Sequence, residues 1–130
     1  MPPVKHMPGR PLILVNETDP HIRALIAAIL QAEGYRVAVG KDGDDALTLA
    51  HSLLPDLIIM NFMMSKKQAD TVCAYLKSST RTDSIKTLLM STPRVVEEFA
   101  IQADASLAKP FDVNDLIRLV GELVGPPVHT

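Results

Sequence analysis

The fold this sequence predicts is a doubly wound α/β domain, five parallel strands with helices on both faces, and three features predict it. Strand-like and helix-like stretches alternate five times between Leu12 and Val124, the pattern of right-handed crossovers onto a parallel sheet. Several strand candidates are short unbroken apolar runs, as expected where both faces of a strand are buried. Four of these runs stop abruptly on polar residues: Asn16 and Glu17, Asn61, Ser91 and Lys109. A parallel sheet brings all such ends to one edge, where a crevice forms at the topological switch point.

The elements follow in order. Leu12-Ile13-Leu14-Val15 is the first strand and exits into Asn16-Glu17-Thr18-Asp19-Pro20. Asp19 before Pro20 reads as an N-cap with proline at the first helical position. Ile22, Leu25, Ile26, Ile29 and Leu30 then recur at helical spacing, and Gly34 stops that helix. Tyr35–Val39 alternates and is rich in β-branched residues, so it predicts a half-exposed second strand. Asp42-Gly43-Asp44-Asp45 opens a second helix through Ala46, Leu47, Ala50, Leu53 and Leu54, ended by Pro55.

Leu57–Met60 is the third strand, ending on the amide Asn61. The polar loop Ser65-Lys66-Lys67-Gln68 leads to a helix through Val72, Cys73 and Leu76, and Ser78–Ser84 is a loop. Ile85–Met90 is the fourth strand; a short helix at about Val95–Gln102 and a brief strand around Ser106–Ala108 follow. Asp112, with Asp115 three residues on, makes a capping pattern for the last helix. Its face is Val113, Leu116, Ile117, Val120, Leu123 and Val124, and Gly125-Pro126-Pro127 closes it.

At 130 residues, 47% hydrophobic and formally −2, the chain is bounded to one domain with a sizeable core. The near-neutral balance speaks against direct nucleic-acid binding, which needs a basic face. The single cysteine excludes an intrachain disulfide framework. Cys73, at helical spacing beside Val72 and Leu76, reads as a small core hydrophobe. No apolar run approaches membrane-spanning length. Residues 1–11, rich in proline and without a signal peptide's apolar centre, read as a disordered leader, residues 12–125 as the domain and 126–130 as a short tail. The cytoplasm is the expected location. No repeat and no second domain is evident. The histidines at 6, 21, 51 and 129 are scattered, and no Ser-His-Asp, Cys-His or metal-ligand spacing points to an ordinary enzyme.

From Leu12 to about Val124 the chain resembles the receiver domain of two-component response regulators. Ile13–Pro20 is similar to that family's first strand and acidic loop, and Pro55–Met64 to the segment carrying its phosphorylated aspartate. Leu88-Leu89-Met90-Ser91 resembles the strand with the switch hydroxyl. Ala103-Asp104 with Leu107-Ala108-Lys109-Pro110-Phe111 resembles the Lys-Pro-Phe signature, where a cis Lys109–Pro110 bond is usual. The resemblance implies a flavodoxin-like receiver fold. It assigns Lys109 to the lysine that contacts the phosphoryl group, Ser91 to the hydroxyl that relays it, and Glu17 to the first acid of the Mg²⁺-binding pair.

The departures from the family carry the functional reading. Asn61 stands at the phosphoacceptor position, Thr18 at the second acid, and Ser106 where an aromatic switch residue is usual. The Ser91–Lys109 interval is about four residues short, which truncates the fourth helix, and Lys66-Lys67-Gln68-Ala69 replaces a loop that normally carries glycine. An acyl phosphate needs a carboxylate oxygen as nucleophile, so Asn61 is expected not to accept a phosphoryl group. Glu17, Thr18, Asn61 and Met63 remain as a vestigial metal site, with Asn16 and Asp19 beside it. Charge loss there predicts weak or absent Mg²⁺ binding and no other cofactor. Lys109 is expected to pair with Glu17, with Asn61 hydrogen-bonded to Ser91 or Lys109, so that the three hold the pocket in one state.

The sequence therefore predicts a degenerate receiver, a phosphorylation-independent protein-interaction module of bacterial signalling. Its expected partners are a histidine kinase, an output domain or another signalling protein, with a homodimer as a further form. Arg118 on the last helix is a candidate contact or simply part of a solvated face. Two other classes stay open: a flavin- or nucleotide-binding domain using Gly40-Lys41-Asp42-Gly43, and a receiver phosphorylated at another residue, Asp56 or Ser91.

Overall fold

The computed structural model describes residues 10–64, 68–98 and 101–127. Most of the expected leader, the basic residues Lys66 and Lys67, and the last three residues of the tail lie outside them. Five parallel strands form one sheet: β1 (Leu12–Asn16), β2 (Arg36–Gly40), β3 (Leu57–Asn61), β4 (Lys86–Met90) and β5 (Ala105–Ser106). Their order is β2-β1-β3-β4-β5. Between them run α1 (Pro20–Ala32), α2 (Gly43–Leu53), α3 (Ala69–Lys77) and α4 (Pro93–Glu98), with α5 (Val113–Val124) last.

Alternation along the strands divides the core in two, because successive side chains point to opposite faces. Leu14, Ile58, Met60 and Leu89 pack with Ala46 and Ala50 of α2 and Val72, Cys73 and Leu76 of α3. Ile13, Val15, Leu57, Ile59 and Leu88 pack on the other face with Ile26 and Leu30 of α1 and Leu116 and Val120 of α5. The central strands are buried on both sides, which is why they read as continuous apolar runs.

Local chemistry sets most element ends. Asp19 accepts hydrogen bonds from the backbone N–H groups of His21 (2.8 Å) and Ile22 (3.4 Å) and so starts α1. These bonds to its charged form hold the Asp19 carboxyl below its usual range. Gly34, at φ 105°, takes the left-handed turn after α1. Asp42 accepts from Asp45 N–H at 2.8 Å at the start of α2.

Four expectations need correction. Pro55 ends α2 as expected, but Leu54 is its cap rather than part of it: the proline disfavours right-handed helical backbone before it, and Leu54 turns left-handed at φ 48°. Helix α4 begins at Pro93, not Val95, because proline is preformed for a first helical turn and Thr92 Oγ1 accepts from Val95 N–H at 3.3 Å. Ile101 and Gln102 are not helical. Strand β5 is Ala105–Ser106 rather than Ser106–Ala108; beyond the Leu107 N–H bond to Leu89 O (2.9 Å) the chain leaves the sheet. Asp115 makes no reciprocal cap for α5: Asp112 accepts from Asn114 N–H at 2.7 Å, while Asp115 turns to Arg118.

Two fold-level results are expected. A Cβ added to Gly40 at the end of β2 would collide with Asn16 Oδ1. The Asn16 amide is itself held by two hydrogen bonds from its Nδ2. Gly40→Ala should therefore cost about 1–3 kcal/mol in urea denaturation. Cys73 is 1% exposed, and burial raises its thiol from the usual 9.0 to about 11. The stability that comes from keeping this thiol neutral is fully present below pH 9 and is lost as pH rises through about 11. A thiol reagent at neutral pH should label Cys73 only at the rate of unfolding.

Candidate functional site

The carboxyl ends of β1, β3 and β4 and the loop after β5 share one edge of the sheet, and β1 lies between β2 and β3 where the winding reverses. Within that edge, alternation decides which side chains can meet. Asn16 pairs in register with Met60. Continuing the register by one residue sets Glu17 beside Asn61, both on the α1/α5 side of the sheet.

Glu17 and Lys109 are brought together across 92 residues of sequence. The Lys109 ammonium donates to both Glu17 carboxylate oxygens, each at 3.3 Å. The glutamate side chain is 3% exposed and the lysine 33%, so the anion is buried and its counter-ion sits at the rim. Two further hydrogen bonds hold Glu17: Asp19 N–H donates to Oε1 at 3.3 Å, and the Arg23 guanidinium donates through Nη1 to the Glu17 carbonyl at 2.9 Å. The Lys109–Pro110 peptide bond is cis.

Asn61 does not join the pair. Its Oδ1 is buried and accepts no hydrogen bond among the described residues, which corrects the expected contact with Ser91 or Lys109. The physical reason is that the Lys109 ammonium is turned to the charged oxygens of Glu17, the stronger acceptors. Ser91 is half-buried at the end of β4, where its N–H bonds back to Leu89 O at 3.0 Å.

Asn16 belongs elsewhere. It is fully buried on the α2/α3 face, where its Nδ2 donates to Asp42 O (3.0 Å) and Met64 Sδ (3.1 Å). Its role in the structure is to tie β1 to the start of α2, not to line the crevice. Of the remaining candidates, Thr18 is exposed, Asp19 is spent on its helix cap, and Ser106 is half-buried. Met63 is 66% exposed.

Sequence reasoning missed Arg23, whose guanidinium holds the loop backbone at Glu17. It also missed the partners of Asn16. An arginine one turn into a helix gives no signal of which carbonyl it reaches. Asp56, one of the alternative phosphorylation candidates, accepts from Leu12 N–H at 2.8 Å at the opposite edge of the sheet. Arg118 pairs with Glu122 (3.0 Å) and Asp115 (3.5 Å) along α5, an exposed intrahelical network that raises its pKa. Gly40–Gly43 is the end of β2 and a helix cap.

The donor set can be judged against magnesium, which the resemblance implies. A hard dication of that kind takes oxygen ligands, with carboxylates supplying the charge. Both oxygens of the Glu17 carboxylate face an ammonium, and the nearby Asp19 carboxylate is engaged by the backbone N–H groups of His21 and Ile22. Thr18 and Asn61 are neutral. Among the described residues no group of three or more His, Cys, Asp or Glu side chains is suited to hold a metal ion. These residues do not fit a divalent-cation site. No helix among the described residues is long and apolar enough to cross a membrane.

Comparison with known proteins gives a consistent result. A family model described as the response regulator receiver domain matches residues 13–121. The DNA-binding dual master transcriptional regulator RpaA of Synechocystis sp. is 35% identical over 118 residues, 88% of this chain and 49% of that protein. The DNA-binding response regulator MtrA of Mycolicibacterium smegmatis is 31% identical over 112 residues, again 49% of its length. The chain thus spans about half the length of the curated relatives it matches. Among solved structures, the signal receiver domain of a signal transduction histidine kinase from Syntrophus aciditrophicus aligns with a TM-score of 0.80 at 28% identity, covering 88% of this chain and 89% of that one. The receiver domain of sensor histidine kinase PA1611 from Pseudomonas aeruginosa, described with magnesium coordinated in its active site cleft, aligns at 0.82 and 22% identity. It covers 89% of this chain and 98% of its own and shares the fold.

Proposed function

The chain belongs to the response regulator receiver domain family, and on that premise we propose that it is a pseudo-receiver: a two-component signalling module that works without phosphorylation. Residues 12–125 are the working unit. The observation that carries this reading is the end of β3, where an amide, Asn61, stands beside a glutamate already neutralised by Lys109. The nitrogen lone pair of an amide is delocalised and its oxygen carries no full charge, so it does not displace the leaving group of a phosphoryl donor. With no phosphoryl group to sense, Ser91 and Ser106 have no switch to relay, and the scaffold serves as a docking surface.

In this reading the module acts in the cytoplasm without Mg²⁺ and is not itself an enzyme. Its partners are proteins: a histidine kinase, an output domain or a second copy of the chain. The DNA-binding activity in the names of its relatives is that of those proteins, of which the matched region covers 49%. Nothing in the β2–α2 turn favours the flavin or nucleotide alternative. Lys41 N–H is bonded to Asp45 Oδ2 at 3.0 Å, and phosphate binding at such a turn needs free backbone N–H groups.

The test is exposure of the protein to acetyl phosphate, and separately to beryllofluoride, with Mg²⁺. The intact mass and the amide NMR spectrum are expected to stay unchanged. A phosphorylated peptide containing position 61 would overturn the proposal, and one containing Asp56 or Ser91 would favour the receiver phosphorylated elsewhere.

A further inference from the structure

We propose that the Lys109 ammonium is the resident cation of the crevice, and that it competes with a divalent cation for the position between Glu17 and Asn61. This deepens the reading above and rests on it. Three observations carry it. Both Glu17 oxygens are turned to the same ammonium at 3.3 Å, so a metal approaching this carboxylate meets a cation already in contact with it. Asn61 Oδ1, its neighbour by strand register, is a buried acceptor with no donor among the described residues. The ammonium is also a third exposed at its rim while the glutamate is buried, so removing the lysine opens a path to the carboxylate without disturbing its floor.

The chemistry of the vacated position follows. A carboxylate and an amide oxygen are both hard donors, and Mg²⁺ or Mn²⁺ binds through one or two carboxylates while keeping several waters. With Lys109 charged, an incoming dication would meet a pair that already sums to zero and would have to displace a cation held at contact distance. With the lysine gone, it meets one buried negative charge and an acceptor already desolvated. Lys109 therefore acts as an internal competitor for the cation, and the Lys109–Phe111 loop stays drawn to β1 whatever the magnesium level.

The probe is Mn²⁺, read by paramagnetic broadening of amide resonances, with Mg²⁺ shifts as the diamagnetic control. For the unaltered protein no selective broadening at Glu17, Thr18 or Asn61 is expected. Lys109→Met should broaden those three and bind Mn²⁺ about tenfold or more tightly than the unaltered protein. Adding Glu17→Gln to that variant should abolish the gain. If Lys109→Met does not give a native spectrum, Lys109→Gln, which keeps a polar head, takes its place with the same expectation. Equal Mn²⁺ binding in unaltered and lysine-free protein would overturn the inference, as would a folded lysine-free variant with no gain. Neither result touches phosphotransfer, which the acetyl phosphate experiment reads separately.

Discussion

Carrying Thr18→Asp and Asn61→Asp together, the chain should accept one phosphoryl group from acetyl phosphate in the presence of Mg²⁺, where the unaltered chain accepts none. In the unaltered protein the Glu17 carboxylate is paired with the Lys109 ammonium, and the charges of the pair cancel. The two substitutions add two carboxylates at adjacent strand ends and bring the sum to −2. Each unit charge about 4 Å from a cation is worth about 4 kcal/mol per charge on that cation at an effective dielectric of 20, so two of them should raise Mg²⁺ affinity strongly. The carboxylate at 61 is then the nucleophile: its oxygen attacks phosphorus and acetate leaves with the other electron pair. Intact mass and amide shifts follow the change. Asn61→Asp alone should be labelled far more slowly, because it has the nucleophile with one metal ligand missing. A doubly substituted chain that folds, binds Mg²⁺ and still takes no phosphoryl group would mean that the crevice departs from the family's geometry in more than charge.

Lys109→Met should lower stability by about 1–3 kcal/mol near neutral pH, less than the 3–5 kcal/mol typical when a fully buried pair is broken. The smaller figure follows from the exposure of the lysine, since a third of its side chain is in water and its share of the pairing is screened. The loss comes from Glu17, which is left as a buried charge with one backbone N–H at 3.3 Å for company. Glu17→Gln/Lys109→Met should recover most of it, giving a coupling energy of about 1 kcal/mol or more in a double-mutant cycle followed by urea denaturation. If both single variants and the double variant are equally stable, the pair is an incidental contact and does not hold the loop.

The pair is also instructive about what residue order conveys. Glu17 and Lys109 are 92 positions apart, yet their meeting was legible because both follow apolar runs that end on one edge of a parallel sheet, and because a lysine deprived of its aspartate needs an anion. The caps were equally legible. Asp19 with Pro20 and Asp42 with Gly43 carry their own helix-starting chemistry within three or four residues. Elements whose ends depend on distant partners were less so. Strand β5 is two residues long because its pairing with β4 ends there, and α4 starts at a proline rather than at the first apolar residue.

Asn16 and Asn61 mark the boundary most clearly. Both are amides at the ends of buried strands, and both entered the expected crevice on equal terms. One side chain faces α2, where Asp42 O and Met64 Sδ accept from its Nδ2; the other faces the α1/α5 side, and neither Oδ1 finds a donor among the described residues. A step of one residue along a strand reverses the face, and which face a given step lands on is settled only when the sheet has assembled. Apolar periodicity, cap chemistry and the amide at 61 are properties of the chain read end to end; the first two suffice for the fold class, and the third is what the proposed loss of phosphotransfer rests on. Partner choice among buried polar atoms is a competition between acceptors that become neighbours only on packing, and there the folded molecule had the last word.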